Sequence, residues 1–208
     1  MKRQAVVVDL DGTLLSVNSF REYVLYVVKE SLRTGRVGVL LPVMWNVVLR
    51  ILRVMPHSVM KCRVLEKSSL FMDAARLSLF VDKLLLQVNA DVVAMCEKYR
   101  SRGYYILLAT AAPVSYSEII SCRMGFDGCC ATPLPLPELK WHENARNHKR
   151  ESVLQHLSSM NASVAVVITD HHDDIPLMKT NSGENILINP SQKTLSFVRK
   201  SGIPIAIL

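Results

Sequence analysis

The sequence has few cysteines, and none are paired in the spacing that metal and redox centres use. Its five cysteines form no C-x-x-C motif; they are Cys62, Cys96, Cys122, Cys129 and Cys130. Disulfide-rich secreted domains and zinc ribbons need such pairs, so we expect small buried side chains in a reducing cytoplasm. The adjacent Cys129 and Cys130 could form a metal or redox pair, but their apolar strand favours a core position.

The sequence also lacks a hydrophobic run long enough to cross a bilayer. Asp9 and Asp11 interrupt the apolar N-terminal run, so no secretory signal is predicted. The longest uncharged stretch of the inserted segment described below, residues 37–49, has thirteen residues between Arg36 and Arg50. A bilayer requires about 20 such residues. We therefore expect a cytoplasmic protein.

Charge is distributed unevenly along the chain. The formal net charge is +7, and residues 18–90 carry eleven Lys or Arg against five Asp or Glu, a net of +6. The rest of the chain is nearly balanced. This asymmetry indicates an anionic partner for the segment 18–90.

The hydrophobic pattern changes twice along the chain. A short β-branched strand at 6–8 is followed by helical periodicity up to about residue 88. From there, strands alternate with helices, the strands being predicted at 104–109, 129–132, 163–169, 185–188 and 203–207. Alternation of this kind predicts right-handed βαβ units and a parallel sheet. The sequence thus predicts an α/β fold interrupted by a helical insert.

Two carboxylates follow the first predicted strand directly. The sequence reads Val6-Val7-Val8-Asp9-Leu10-Asp11-Gly12-Thr13. Ligands of open parallel sheets bind at the carboxyl ends of the strands. Two acids there, with no basic neighbour in the sequence, require a bound cation. A solvated Asp-Gly turn is the alternative interpretation.

Two later strands also end in residues suited to phosphate or metal binding. Thr110 and Ala111 end one apolar strand just before a helix, where a hydroxyl and free backbone N–H groups can hold a phosphate. Asp170 ends another strand, and a second acid follows four residues later. His171 and His172 could instead bind zinc or iron, but adjacent histidines are expected to point in different directions.

Together, these motifs resemble the haloacid dehalogenase (HAD) superfamily, in its phosphoserine-phosphatase-like branch. Asp9–Thr13 resembles the DxDGT signature, and Thr110 the second motif of the family. Residues 169–178, TDHHDDIPLM, resemble GDSxxDxPML, in which Pro176 makes Asp174, not Asp173, the second acid. The resemblance covers 5–15 and about 90–190. Thr169 and His171 depart from the pattern.

The resemblance implies a fold and a domain division. It implies a Rossmann-like core formed by residues 1–16 and 89–208, with an all-helical cap formed by residues 17–88. It also implies a lysine at the start of the helix after the third strand. Lys149 fits best, with Lys140 and Arg150 as rivals, although the family more often has a glycine shortly before this lysine.

The resemblance further implies an Mg²⁺-dependent phosphomonoesterase acting through an aspartyl-phosphate. Asp9 would be the nucleophile and Asp11 the general acid and base. Thr110, Ala111 and Lys149 would hold the phosphoryl group. The implied metal residues are Asp9, Asp11, Asp170 and Asp174. A phosphotransferase with the same intermediate and a non-catalytic phosphate- or lipid-binding protein remain alternatives.

The apolar stretch of the insert has two interpretations. A buried cap helix is favoured over an interfacial helix with basic flanks that docks on anionic lipid. In its Pro-containing, Arg-flanked composition the stretch resembles the cap of phosphatidylglycerophosphatase C. The expected partners are a small phosphorylated substrate and, under the second interpretation, an anionic membrane at the inner face. Nucleic acid is not expected.

Overall fold

The computed structural model describes residues 2–136, 140–181 and 183–208 and shows a parallel sheet. Six strands lie in the order β3-β2-β1-β4-β5-β6, and every neighbouring pair is parallel. The strands are β1 (Arg3–Val8), β2 (Tyr105–Pro113), β3 (Gly128–Thr132), β4 (Ala162–Thr169), β5 (Glu184–Leu187) and β6 (Ala206–Ile207). The prediction of an α/β fold with a parallel sheet is confirmed.

Helices cover both faces of this sheet, as a fully buried parallel sheet requires. Val6 and Val8 face one core with α5 (Ala90–Arg100) and α6 (Val114–Arg123), whereas Ala5 and Val7 face the other. The second core contains α7 (Asn147–Ser159), α8 (Ile175–Met178) and α9 (Gln192–Lys200). The unbroken apolar run of β1 is therefore buried on both sides, and its carboxyl end lies at the centre of the sheet edge.

Four helices lie between β1 and α5. They are α1 (Ser19–Arg33), α2 (Val37–Ile51), α3 (His57–Ser68) and α4 (Ala74–Leu85). The backbone N–H of Ser16 donates to Gln87 O (2.9 Å), and that of Asn89 donates to Leu14 O (2.8 Å). The chain therefore leaves the sheet and returns to it at one place. We call residues 17–88 the helical insert.

Aromatic packing joins the insert to the core. Phe80 packs against both Tyr23 of α1 and Tyr116 of α6, with ring centroids 5.7 Å and 5.3 Å away. All three side chains are buried. Edge-to-face aromatic contacts of this kind stabilise by about 0.5–1.5 kcal/mol beyond their area burial.

The favoured interpretation of residues 37–49 as a buried helix is wrong. Helix α2 buries Val43 and Asn46, but Leu41 and Trp45 are 61% and 63% exposed. The physical reason is that α2 packs on α1 and α3 along one side, while its other side faces solvent in the described part of the chain. Within those same ranges, no helix is both long and apolar enough to cross a membrane.

Two smaller predictions differ from the structure. The last strand contains Ala206 and Ile207 in place of 203–207, because only these residues pair with β5. Pro113 precedes the first turn of α6 as its N-cap, with ψ of 139°.

Cys129 and Cys130 lie on opposite faces of β3, and burial raises the pKa of these thiols to about 12 and about 11. Both thiols are thus protonated; Cys130 is buried in the core and Cys129 is partly buried.

Candidate active site

The predicted site residues meet at the carboxyl edge of the sheet. Because β1 lies between β2 and β4, the residues at the carboxyl ends of these three strands are neighbours in space. A cleft of about 270 Å³ opens there. All seven predicted residues line it: Asp9, Asp11, Thr110, Ala111, Lys149, Asp170 and Asp174. Parts of the sequence up to 165 residues apart (9 to 174) therefore form one polar cleft.

Lys149 is the central cation of this cleft. It is the third residue of α7, and its Nζ donates to Asp9 Oδ1 and to Asp174 Oδ2, at 2.7 Å each. Burial lowers the pKa of Lys149, but the two carboxylates raise it more, to above its usual value. The ammonium is therefore charged at all physiological pH values. Of its two rivals, Lys140 is exposed, and Arg150 lies 3.7 Å from Glu151.

The two consecutive acids after β4 have different surroundings. Asp174 is buried at the end of a 3₁₀ turn, where its Oδ2 also accepts a hydrogen bond from Thr169 Oγ1 (2.7 Å). Asp173 accepts one from the exposed Arg146 (3.0 Å). Asp174 is thus the acid that contacts Lys149. Since both contacts use Oδ2, this carboxylate is placed to orient the lysine, whereas its predicted metal ligation stays a prediction.

Asp9 and Asp11 both have raised pKa values, but different groups contact their carboxylates. Burial raises the pKa of Asp9 to about 7, although Lys149 opposes this shift. Asp11 Oδ1 accepts a hydrogen bond from the backbone N–H of Ser19 (2.9 Å), the first residue of α1. Burial raises the pKa of Asp11 above its usual value, and the hydrogen bonds from Ser19 oppose the shift. A raised pKa favours the protonated form of a carboxyl group, which is the form that donates a proton.

Ser19 connects Asp11 to the insert and to the core at once. Its hydroxyl hydrogen-bonds the hydroxyl of Tyr116 (3.1 Å), and both residues are fully buried. The position of the Asp11 carboxylate therefore depends on the start of α1. The sequence analysis did not find this pair, because nothing local to either residue indicates the contact.

The donor set around Asp9 fits a hard divalent cation. Asp9, Asp11 and Asp170 present carboxylates to the same cleft, and the negative charges of Asp174 and Asp170 contribute to the raised pKa of Asp9. Gly12 has φ of +76°, and a Cβ there would lie 2.8 Å from Cγ of Asp170. Only glycine allows this approach, which brings the loop after β1 against Asp170. Oxygen ligands without sulfur suit Mg²⁺.

The carboxyl end of β2 forms the other wall of the cleft. Thr110 Oγ1 accepts the backbone N–H of Ala112 (2.9 Å), so one N–H expected to be free is already bonded, while the Thr110 hydroxyl proton remains to donate. Asn144 Nδ2 donates to Thr110 O (3.0 Å). The carbonyl of Ala111 accepts from Lys61 Nζ at 2.9 Å. Groups from β2 itself, from α3 and from the segment before α7 thus hold this end of the strand.

A comparison with protein-family models identifies the family of this chain. The family model of haloacid dehalogenase-like hydrolases matches residues 6–179. The chain belongs to this family. The resemblance drawn from the motifs is confirmed, and the expectation of a hydrolytic enzyme agrees with it. No curated protein sequence matches this chain.

Solved structures of this fold include other members of the haloacid dehalogenase-like family. A protein of unknown function from Bordetella pertussis Tohama I is 18% identical, with a TM-score of 0.76 over 99% of this chain and 98% of that one. A substrate-bound phosphoserine phosphatase is 16% identical, with a TM-score of 0.61 over 100% and 93%. A HAD family hydrolase from Salmonella enterica serovar Typhi is 10% identical, with a TM-score of 0.65 over 93% and 65%. At these identities, the likeness shows the fold.

Lys61 is a residue of this HAD hydrolase that the sequence analysis missed. It comes from α3 of the insert, is 3% exposed, and forms an ion pair with Glu143 besides its bond to Ala111. A signal was present, because Lys61 falls on the inward side of α3 beside Met60, Val64 and Leu65. A lysine on an apolar helix face indicates a buried ionic partner.

The histidine pair after Asp170 differs from expectation. The rings of His171 and His172 lie side by side, with centroids 4.0 Å apart, because the 3₁₀ turn folds the chain back. With Asp173 they form a group whose potential ligand atoms lie within 4.8 Å. His171 Nδ1 accepts the N–H of Asp173, and His172 stacks on Phe197. These contacts hold both rings in place, and of the two only His171 lines the cleft.

Proposed function

We propose that this hydrolase is an Mg²⁺-dependent phosphomonoesterase that forms an aspartyl-phosphate on Asp9. The observation that carries the proposal is the buried Lys149 ammonium, which contacts Asp9 and Asp174 at 2.7 Å inside a cleft that also contains Asp11. Phosphoryl transfer needs an in-line nucleophile and strong neutralisation of charge. The solved structures of similar fold include phosphoserine phosphatases, which supports the same reaction class.

The first step transfers the phosphoryl group to the enzyme. An oxygen of Asp9 attacks phosphorus, the bond from phosphorus to the ester oxygen breaks, and Asp11 donates its proton to the leaving alkoxide. Lys149 and the Thr110 hydroxyl bind phosphoryl oxygens, together with the backbone N–H of Ala111. The raised pKa of Asp11 suits the role of proton donor.

The second step returns the enzyme to its starting state. Asp11, now a carboxylate, takes a proton from a water molecule, which attacks phosphorus. The acyl phosphate bond to Asp9 breaks, and inorganic phosphate leaves. The contact of Ser19 with Asp11 holds the carboxylate in place for both proton transfers.

Mg²⁺ would be held by Asp9 and Asp170 through their carboxylates and by Asp11 through its main-chain carbonyl. When bound, the cation supplies positive charge that reduces repulsion between the carboxylate nucleophile and the phosphoryl group. Asp174 orients Lys149 in this proposal.

The helical insert, residues 17–88, would act as a cap on the core formed by residues 1–16 and 89–208. Ser19 and Lys61 support this role, because each reaches from the insert to a group of the cleft. A second groove of about 660 Å³, lined by His57 and His148 among others, shares Ala111 and Arg146 with the cleft. The combined space suits the phosphate ester of a small molecule or of a lipid headgroup better than a bare phosphate.

A phosphate-release assay tests the proposal. The panel contains an aryl phosphate, phosphorylated metabolites and lysophospholipids, each with Mg²⁺ and with EDTA. We expect Mg²⁺-dependent release that EDTA abolishes and that Asp9→Asn eliminates, because a neutral amide does not attack phosphorus. Asp91→Asn, which changes an exposed acid at the start of α5, is the matched control and should be as active as the unmodified chain.

Three outcomes would contradict the proposal. Release by Asp9→Asn at near the normal rate would remove the nucleophile. Phosphate diverted to an added acceptor alcohol would make the protein a phosphotransferase. Saturable phosphate binding without turnover of any substrate would make it a non-catalytic binding protein.

A further inference from the structure

Helix α2 carries an exposed apolar face. Its residues fall at helical spacing along one side, at 37, 41, 44 and 45, 48 and 51, and are 40–72% exposed. They are Val37, Leu41, Met44, Trp45, Val48 and Ile51. The opposite side, with Val43 and Asn46, packs against the rest of the insert. Contiguous exposed apolar surface of this kind indicates a binding surface.

Basic residues border this apolar face. Residues 31–65 contain no Asp or Glu, and their six basic residues are Arg33, Arg36, Arg50, Arg53, Lys61 and Arg63. Arg36 lies at the start of α2 and Arg53 lies just after its end, and both are exposed. The surface therefore combines apolar side chains with positive charge at both ends.

We propose that this face of α2 binds the surface of an anionic lipid bilayer. The fifteen residues of α2 span about 22 Å at 1.5 Å per residue, shorter than the roughly 30 Å of a hydrocarbon core. The helix therefore lies along the membrane plane, with Trp45 near its middle. Interfacial helices combine an apolar face with basic residues in this way.

Charge decides between lipid and a second copy of the chain. Two copies joined through the apolar face of α2 would bring Arg36 and Arg53 of both chains together. Residues 31–65 offer no carboxylate to pair with them. Anionic headgroups supply the missing negative charge, at about 1 kcal/mol per basic residue near the surface. The lipid surface is therefore the occupant that satisfies both features.

The position of α2 connects this surface to the second groove. Helix α3 begins at His57, six residues after α2 ends at Ile51, and His57 lines the groove that adjoins the cleft. Docking through α2 would place the mouth of this groove near the headgroups. The membrane proposal itself does not depend on the phosphomonoesterase proposal, because its test measures binding without turnover.

Vesicle flotation of the full chain tests the inference. We expect the protein to float with vesicles of phosphatidylcholine mixed with phosphatidylglycerol, and to float less at high salt, because screening weakens the charge term. Little should float with phosphatidylcholine alone. In Trp141→Phe, whose remaining tryptophan is Trp45, the emission should shift to the blue on the mixed vesicles.

Variants separate the contribution of apolar burial to vesicle binding from the contribution of charge. Leu41→Gln with Trp45→Gln should lower binding at least about tenfold through lost apolar burial. Arg36→Gln with Arg53→Gln should lower binding to the mixed vesicles by on the order of tenfold and reduce its dependence on salt. The control, Leu86→Gln with Met160→Gln, removes equally exposed apolar groups away from α2 and should bind normally. Unfolding curves verify that each variant is folded.

Two results would overturn the inference. The first is absence of flotation with anionic vesicles at low salt. The second is a dimer, seen by analytical ultracentrifugation, that Leu41→Gln with Trp45→Gln dissociates while vesicle binding of the unmodified chain is absent or unaffected by these substitutions. That result would make a second copy the occupant.

Discussion

Replacement of Lys149 by methionine should destabilise the fold in a pH-dependent manner. Methionine keeps most of the aliphatic volume but removes the ammonium that contacts Asp9 and Asp174. The lysine side chain is 4% exposed, and that of Asp174 is 6% exposed. The variant would therefore leave two carboxylates in a cleft without their shared cation.

The expected loss of free energy of unfolding can be derived from the contacts that Lys149 makes. Two hydrogen bonds of 2.7 Å to charged groups are removed, and each such bond contributes about 1.5–3 kcal/mol. Removing one partner of a buried ion pair costs about 3–5 kcal/mol in measured cases. Because the cleft is open to water at Asp9, we expect a loss of free energy of unfolding of about 3 kcal/mol at pH 8 without divalent cations.

The sign of the pH dependence follows from Asp9. Its folded pKa is raised from 3.8 to about 7, so between these values the native state binds more protons than the unfolded state. Stability therefore falls as pH rises through this window. Without Lys149, which lowers the pKa of Asp9, that pKa rises further and the window extends to higher pH. The loss caused by the substitution should thus be larger at pH 8 than at pH 5.5. The charge of Lys149 itself is constant over this range.

Urea unfolding in EDTA at the two pH values measures the effect. Lys140→Met, which changes an exposed lysine, is the matched control and should alter stability by less than about 0.5 kcal/mol. A loss for Lys149→Met that is below about 1 kcal/mol, or equal at both pH values, would refute the reasoning about buried charge.

Two further substitutions test other contacts of the site. Asp11→Asn should accept a phosphoryl group from an aryl phosphate but release it slowly, so mass spectrometry should detect a phosphorylated Asp9; unchanged steady-state release would remove Asp11 from the acid–base role. Lys61→Met should lower stability by about 1–3 kcal/mol and slow phosphate release, because the carbonyl of Ala111 and the carboxylate of Glu143 lose their partner. Lys61→Met combined with Glu143→Gln should recover part of the stability, and a double variant no more stable than Lys61→Met would contradict this account.

The parallel sheet followed from local pattern. The β-branched run before Asp9, and the strands before Thr110 and Asp170, are local signals whose period does not depend on distant residues. The carboxyl ends of parallel strands meet at one edge, so the order of motifs was enough to predict a shared cleft. The last strand was overestimated because its pairing with β5, not its composition, sets its length.

The burial of α2 could not be derived from its composition. The composition of an uncharged helix is the same whether a neighbouring helix or lipid covers it. Only the packing of α1 and α3 on one side of α2 showed that Trp45 is exposed. Lys61 is a similar case. Its inward position on α3 was visible, but the partner, the carbonyl of Ala111, is fifty residues away.

The sequence by itself determined the fold class and the acids at the strand ends, because both depend on local periodicity and on the chemistry of single side chains. The tertiary structure decided which charges meet. It brought Lys149 and Asp174, which the sequence had favoured over their rivals, into contact with each other and Lys149 into contact with Asp9, and it tied Asp11 to the first residue of α1. Such contacts depend on how the helices pack on the sheet. The free energy of that packing comes from the whole core, so no single segment of the sequence determines it.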